Sequence, residues 1–121
     1  MDEVWQDCLF PVLLGSNTVC HACVRRFEKR LGLASTVLTG KRALTLRFLP
    51  AVRLLYAPPT LQDALLLAML EDLSVESGLR VPLLVICDGA YSDFIARHRE
   101  ELEARFILRD GAEILGEGDR I

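Results

Sequence analysis

Hydrophobic and polar positions along the chain predict short buried strands that alternate with longer amphipathic helices. The first run, residues 10–14, is wholly apolar and has the length of a strand covered on both faces. After the turn of residues 15–17, apolar side chains recur every three or four positions, as on the buried face of a helix: Cys20, Cys23, Val24, Phe27 and Leu31. Asn17 or Ser16 can cap this helix at its start, and Gly32 can end it. The pattern predicts that a strand, a turn and a helix open an α/β domain.

The rest of the chain continues the same alternation. Further strands are predicted at residues 34–38, Val52–Tyr56, 83–86 and 106–108, and further helices at about 61–77 and 91–104. Leu44, Leu46 and Phe48 alternate with polar residues, which fits either an edge strand or a loop, since Pro50 follows soon after. The residues from Arg109 onward contain three glycines and alternating charges, and we predict no regular element there.

Strands that alternate with helices favour a mainly parallel sheet with helices on both faces, a three-layer α/β architecture of the Rossmann-like kind. Right-handed crossovers and a central first strand predict the strand order 3-2-1-4-5. The loops after strands one and four then adjoin at the edge where such sheets hold ligands. We expect the domain to cover residues 1–109 and residues 110–121 to be a polar tail or linker.

The composition fits one folded domain and not two. With 51% apolar and 26% charged residues, the 121-residue chain is expected to have a core and a polar surface. A net charge of -3 with mixed signs gives no reason to expect nucleic acid as a partner. The apolar run 64–70 is too short to cross a membrane, and the acidic start is unlike a secretory signal. Four cysteines without such a signal are typical of reduced thiols in a cytoplasmic protein.

The helix predicted at residues 61–77 has apolar side chains on more than one face. Thr60 and Asp63 resemble a capping box at its start, and Gly78 can end it. One stripe consists of Leu61, Ala64, Leu65, Leu67 and Ala68, and three more apolar residues lie outside it: Leu66, Met69 and Leu70. Soluble domains rarely leave such width bare. The helix therefore either fills a deep groove or docks on a missing domain or a second copy, as in a homodimer.

The turn of Gly15, Ser16 and Asn17 is a candidate ligand site. Backbone N–H groups between a strand and a helix can face an anion. The turn lacks the glycine spacing of a dinucleotide site and the lysine of a P-loop, so the alternative is a tight turn with an N-cap. Asp88 occupies the matching loop after the fourth strand, where it either contacts a ligand or caps the next helix.

Cys20 and Cys23 form a C-x-x-C spacing at the start of a helix, as in thioredoxin-like and glutaredoxin-like redox domains. Pro82 before a later strand adds to this likeness, but those domains need a β-hairpin after the proline, and here one strand leads into a long helix. Both cysteines also lie on the apolar stripe, where a thiol acts as a small hydrophobe. A zinc site from these cysteines with Cys87 and His21 would lack a second closely spaced ligand pair.

Three stretches taken together resemble one family. Residues 10–16 (FPVLLGS) are similar to the opening strand and turn of the N-terminal, pre-ATP-grasp domain of ATP-grasp carboxylate–amine ligases of the D-aspartate ligase-like group. Residues 32–35 resemble the exit of that domain's first helix into its second strand. Residues 84–91, continuing through 98–102 to Phe106, resemble its strand, acidic loop and helix.

The likeness covers residues 9–109, with two departures from the family pattern. Asn17 stands where the family often has Asp, and Ala90 is inserted between the Asp-Gly pair and Tyr91. Both departures fall in the loops that the resemblance assigns to ligand contacts, so they bear on those contacts more than on the fold.

The resemblance implies a domain that precedes two ATP-grasp lobes of the same protein, which are its expected partners. The complete enzyme would use ATP and Mg²⁺ to turn a carboxylate into an acyl phosphate and join it to an amine. This chain would hold neither cofactor, would have no catalytic residue or metal ligand, and would form one wall of the acceptor-side site for a small carboxylate or amine. The implied site residues are Gly15, Ser16, Asn17, Asp88, Gly89 and Tyr91.

Two other classes of function stay open at this point. One is a redox domain that uses Cys20 and Cys23, and the other is a non-catalytic α/β binding or dimerisation module. The first requires a reactive thiol at position 20, whereas the second requires only the broad apolar helix at residues 61–77.

Overall fold

The computed structural model describes residues 8–15, 17–40 and 52–116. Its elements in chain order are β1 (Leu9–Leu14), α1 (Thr18–Leu31), β2 (Ser35–Thr39), β3 (Val52–Tyr56), α2 (Asp63–Glu76), β4 (Val81–Ile86), α3 (Ser92–Glu103), β5 (Ile107–Asp110) and α4 (Gly111–Gly116). A short 3-10 turn, Gly89–Tyr91, precedes α3. Ser16 and the segment with Leu44, Leu46 and Phe48, for which a strand and a loop were both open, lie outside the described residues.

The strands form one parallel sheet in the order β3-β2-β1-β4-β5, which confirms the predicted α/β class and strand order. β1 lies at the centre, where Val12 pairs with Thr36 of β2 on one side and with Leu84 of β4 on the other. From β1 the chain builds outward to β3, returns, and then builds outward to β5. The point at which the direction reverses therefore lies between β1 and β4.

The sheet separates two apolar layers, because successive side chains of a strand point to opposite faces. Val12 and Leu14 of β1 belong to the layer that α2 and α3 cover, together with Tyr91. Leu13 belongs to the layer that α1 and α4 cover, together with Ile114. Helices thus cover both faces, as predicted, and β1 is buried on each side because it is apolar at every position.

Helix α1 forms as its sequence predicts. The side chain of Asn17 accepts a hydrogen bond from the backbone N–H of Cys20 at 3.0 Å, which is the N-cap contact. Gly32 ends the helix in the left-handed conformation, with φ of 66°. Cys20 and Cys23 are fully buried on the inner face, as the apolar stripe indicates.

Helix α2 corrects two expectations. It begins at Asp63, after Gln62, which makes no side-chain capping bond, so the capping box of Thr60 and Asp63 is wrong. Its buried face consists of Leu66, Leu70 and Leu73, and Met69 packs partly buried against the same core, so docking of Leu66, Met69 and Leu70 on a missing domain or a second copy, one of the two possibilities for this helix, is wrong for these residues. Of the residues assigned to the inner stripe, Ala64, Leu65 and Ala68 are exposed, Leu65 by 52%, whereas Leu61 and Leu67 pack partly buried against the core. Because the helix is apolar on nearly all sides, its sequence does not determine which face packs on the sheet.

The chain after Arg109 also departs from expectation. β5 runs to Asp110, and residues 111–116 form α4, so the prediction of no regular element is wrong for these residues. Gly111 and Ile114 are buried. A Cβ at position 111 would lie 2.7 Å from Cγ1 of Val19, so only glycine allows α4 to approach α1 this closely. A glycine that reads as a chain breaker in the sequence is here a packing residue.

Within the described ranges, no helix is long and apolar enough to cross a membrane. The most apolar of them, α2, has 14 residues, whereas a membrane span needs about 20.

Candidate functional site

The loops after β1 and β4 touch at the carboxyl edge of the sheet, as predicted. Gly15 has φ of 113°, and its N–H donates to the carbonyl oxygen of Leu38 at 2.8 Å. A Cβ at position 15 would lie 2.6 Å from the Cβ of Asp88. The N–H groups of Cys87 and Asp88 both donate to the carbonyl oxygen of Leu14, at 3.1 and 3.2 Å. Position 15 therefore requires glycine for two reasons: the backbone has a positive φ, and Asp88 occupies the space where a side chain would lie.

Asn17 joins these two loops with its side-chain amide. Its Oδ1 caps α1, and its Nδ2 donates to the carbonyl oxygen of Cys87 at 2.8 Å. An aspartate here would keep the cap and lose the donor to Cys87. Asn17 therefore orients the loop after β4 relative to the start of α1, and both parts of its amide are engaged by the protein.

Asp88 is half-buried and lies directly after the end of β4. Its Oδ1 accepts a hydrogen bond from the N–H of Ala90 at 2.9 Å, which caps the 3-10 turn. Its backbone carbonyl accepts the N–H of Tyr91 at 3.1 Å. The capping contact that the sequence suggested is therefore present, one turn before the helix proper. Gly89 is exposed beside it.

Tyr91 lies in the core and not at the surface of the loop. Its side chain is 1% exposed, and its hydroxyl donates to the carbonyl oxygen of Ala57 at 2.7 Å. Burial, with a smaller contribution from the charge of Asp88, raises the pKa of Tyr91 to about 12. Tyr91 stays protonated at neutral pH and holds the loop after β4 against the end of β3.

Three thiols meet behind these loops. Cys20 and Cys23 are fully buried, and Cys87 is half-buried. Hydrogen bonds with Cys20 and Cys23, together with burial, raise the pKa of Cys87, and the bond with Cys87 lowers that of Cys23. Cys23 also donates to the carbonyl oxygen of Gly111 at 3.6 Å. The cluster joins α1, the loop after β4 and α4.

These thiols do not make a metal centre. In the part of the chain that the structure describes, no group of three or more His, Cys, Asp or Glu side chains is arranged to hold a metal ion. The zinc site considered for Cys20, Cys23, Cys87 and His21 is therefore not formed by these residues.

A cleft of about 250 Å³ lies beside the loop of Asp88, at the carboxyl ends of β4 and β5. Its apolar lining includes Ile86, Ile95 and Leu108, and its polar lining comprises Ser92, Arg99, Arg109, Asp110 and Glu113. Sequence reasoning missed the polar lining residues because they come from three separate elements, α3, β5 and α4. The signal that could have found them is the pair Arg109 and Asp110, which follows an apolar strand at the same edge as Asp88.

A second cleft, of about 290 Å³, lies at the opposite edge of the sheet, near the amino ends of β1, β2 and β3. Arg53 and Arg80 line it, but Arg53 is paired with Glu76 and Arg80 lies 4.6 Å above the ring of Phe10. In open parallel sheets ligands bind outside the carboxyl ends of strands, so the cleft beside Asp88 is the better candidate.

A cluster of charged side chains links α2 to α3. Asp63 accepts two hydrogen bonds from Arg97, at 2.9 and 3.1 Å, and lies 2.8 Å from Nε2 of His98. Glu101 lies 3.3 Å from Nδ1 of the same ring. The bonds from Arg97 and His98 lower the pKa of Asp63 to about 2, and the bonds to Asp63 and Glu101 raise the pKa of His98. The carboxylates favour a charged His98, so the cluster is an ion-pair network between two helices.

Comparison with known proteins gives no family for this chain. No family model matches it, and neither the search of curated proteins nor the search of solved structures finds a match. The functional assignment therefore depends on the sequence resemblance and on the geometry of the sheet edge.

Proposed function

We propose that the chain is the substrate-binding domain that precedes the ATP-grasp lobes of a carboxylate–amine ligase. The contact between Gly15 and Asp88 is the observation that carries this proposal. It brings the two loops of the resembling motifs together at the point where the strand order reverses. A ligand held there would be presented at one open edge of the domain, which a neighbouring lobe can cover.

The side chains of this domain indicate which steps of the proposed reaction it would leave to the ATP-grasp lobes. Transfer of a phosphoryl group from ATP needs magnesium and cationic side chains arranged around the phosphates. The turn of residues 15–17 contains no lysine or arginine, and the next arginines along the sequence, Arg25 and Arg26, lie more than a helical turn away on α1. Arg99 and Arg109 line the neighbouring cleft and belong to neither loop. In the proposal, the ATP-grasp lobes therefore bind ATP and Mg²⁺ and form the acyl phosphate, and this domain contributes no catalytic group.

The domain would hold a small carboxylate or amine on the acceptor side. Gly15, Ser16, Asp88 and Gly89 would contact this substrate, with the cleft lined by Ser92 and Arg109 beside them. Asn17 and Tyr91 would act as positioning residues, because their polar groups already hold the loops. With so few contacts, binding to this domain alone is expected at the millimolar level, about 4 kcal/mol.

The redox alternative has less support from the geometry. Cys20 and Cys23 are fully buried in an apolar layer, where thiols are inert. Pro82 lies within β4, which pairs in parallel on both sides, with β1 and β5, and leads into the loop of Asp88, whereas a thioredoxin-like domain has an antiparallel hairpin after its proline. A non-catalytic binding module stays compatible with the same fold.

Substrate kinetics of a ligase that contains this chain and its ATP-grasp lobes test the proposal. Ser16→Ala and Asp88→Asn should raise the KM for the amine acceptor and leave the KM for ATP nearly unchanged. Asp93→Asn, an exposed carboxylate on the first turn of α3, is the matched control and should change neither. A rise in the KM for ATP with either loop variant, or an unchanged KM for the acceptor with both, would contradict the proposed role.

A further inference from the structure

The outer face of α2 exposes apolar side chains to solvent. Among the described residues, four large hydrophobic side chains are more than half exposed: Tyr56 (74%), Leu65 (52%), Val75 (72%) and Leu79, which is fully exposed. Leu65 and Val75 lie on the outer side of α2, and Leu79 is the third residue after its end. Ala64 and Ala68 extend the same face. Because the opposite face is buried in the core, α2 is apolar on both sides, a pattern typical of a helix that packs on both sides.

Charges at the borders of this face are already neutralised within the chain. Glu71 pairs with Arg105 at 3.2 Å, and Glu76 pairs with Arg53 at 2.9 Å. These pairs are half-exposed and contribute little to stability. By neutralising Glu71 and Glu76, they allow a second α2 to approach, because an acidic helix without such partners would repel a copy of itself. Asp72 is the one acidic residue of α2 that lies among Leu65, Ala68 and Val75 on the outer face.

We propose that α2 packs antiparallel against α2 of a second copy of this chain, about a twofold axis that crosses the outer face at the level of residue 70 along the helix. Leu65 and Val75 each lie five residues from Leu70, and Ala68 and Asp72 each lie two residues from it. Antiparallel pairing about that point places Leu65 against Val75 of the second copy, and Ala68 against Asp72 of the second copy. The interface is isologous, so each contact occurs twice.

The position of Asp72 selects the antiparallel arrangement. In a parallel, in-register pair the two copies of Asp72 would face each other and repel. In the antiparallel pair each carboxylate lies beside the methyl group of Ala68 and keeps its access to water. The small side chains of Ala64 and Ala68 also allow the two helices to approach closely.

The size of the surface sets the strength of the contact. α2 has 14 residues and is about 21 Å long, so one helix crossing covers less than the roughly 800 Å² per partner of a standard interface. The dimer is therefore weak and depends on concentration, with a dissociation constant above about 1 µM. It goes beyond the proposed ligase function and does not depend on it.

Sedimentation velocity of the unmodified chain from about 10 µM to about 1 mM tests the proposal by mass action. The mean mass should rise from that of one chain toward that of two. Leu65→Lys and Val75→Glu should each keep the chain monomeric over this range. Both side chains are mostly exposed, so these variants should melt like the unmodified chain. Tyr56→Lys changes an equally exposed hydrophobic residue off the face and should leave association unchanged.

An equimolar mixture of Leu65→Lys and Val75→Glu tests the register. In a mixed dimer the introduced lysine faces the introduced glutamate at one contact, and Val75 still faces Leu65 at the other. The mixture should therefore associate where each variant alone does not. A monomeric unmodified chain at every concentration, association that survives Leu65→Lys, or a mixture that stays monomeric would each overturn the proposal.

Discussion

Gly15 lies against Asp88 so closely that a Cβ on the glycine would be 2.6 Å from the Cβ of the aspartate. The two residues are 73 positions apart in the sequence. Gly15 is the first residue after β1, and Asp88 is the second residue after β4. Their contact depends on the parallel pairing of β1 with β4, which aligns Leu14 with Ile86. The same contact defines the edge at which we propose that the domain holds its substrate.

Gly15→Ala should destabilise the fold by about 3 kcal/mol or more, because the new side chain meets an unfavourable backbone conformation and also displaces Asp88. Gly32→Ala is the matched control. Gly32 also has a positive φ but has open space where a Cβ would lie, so its substitution should cost about 1–2 kcal/mol. Urea denaturation of both variants measures the difference. Equal losses would mean that the approach to Asp88 is unimportant for stability.

Asn17→Ala should lower the free energy of unfolding by about 2 kcal/mol, since it removes the cap of α1 and the hydrogen bond to the carbonyl of Cys87. Asn17→Asp keeps an oxygen for the cap and loses only the donor, so its loss should be about 1 kcal/mol. Chemical denaturation of the two variants compares these contributions. If both variants lose the same amount, the amide donor of Asn17 does not hold the loop after β4.

The sequence predicted elements well wherever several local signals agreed. The cap at Asn17, the apolar stripe with Cys20 and Phe27, and the stop at Gly32 all indicate the same helix, and α1 forms as predicted. Helix α2 shows the opposite case. Its apolar residues surround the helix, so only the tertiary position of the sheet decides that Leu66 is buried and Leu65 exposed.

Contacts between residues far apart in sequence could not be predicted. Tyr91 was predicted at the start of the helix at about 91–104 and was implied as a site residue, but neither prediction indicates that its hydroxyl reaches the carbonyl of Ala57, 34 positions earlier. Asp63 appeared as part of a capping box, yet its carboxylate binds Arg97 and His98 on another helix. The cleft beside Asp88 is of the same kind, because its charged residues come from α3, β5 and α4.

Cys20 and Cys23 should react slowly with a thiol reagent in the native protein, because both are fully buried. Cys23→Ser should cost roughly 1–3 kcal/mol, since it places a hydroxyl in an apolar layer. Cys8→Ser, at a half-exposed position, should change stability by less than about 0.5 kcal/mol. Thiol titration before and after unfolding, with denaturation of both variants, provides the measurement. Catalysis of insulin reduction by the unmodified chain would contradict this prediction.

The contact between His98 and Asp63 should make stability depend on pH. The carboxylates raise the pKa of His98, so the folded state favours the charged ring. Its contribution is complete below the unfolded pKa of about 6.5 and is lost as the pH rises through the higher folded value. Asp63 acts in the opposite direction, with a contribution present above about 3.8 that is lost as the pH falls toward about 2.

Unfolding measured from pH 5 to pH 9 tests the histidine part of this prediction. The unmodified chain should lose stability across the pH range just above 6.5, and His98→Gln should remove that dependence. Arg99→Gln, which changes an exposed cation elsewhere on α3, is the control and should retain it. If His98→Gln leaves the pH dependence unchanged, the contact with Asp63 does not couple protonation to folding.

The proposed substrate edge is tested most directly by NMR titration of this chain with acetate, glycine and ethanolamine, followed at the backbone amides. We predict that at least one of these probes shifts the amides of Gly15 and Gly89 with saturation near the millimolar level, about 4 kcal/mol. Asp88→Asn should weaken that response, and Mg-ATP should not produce it. Micromolar binding of Mg-ATP, or probe-induced shifts that map away from the loops after β1 and β4, would contradict the account.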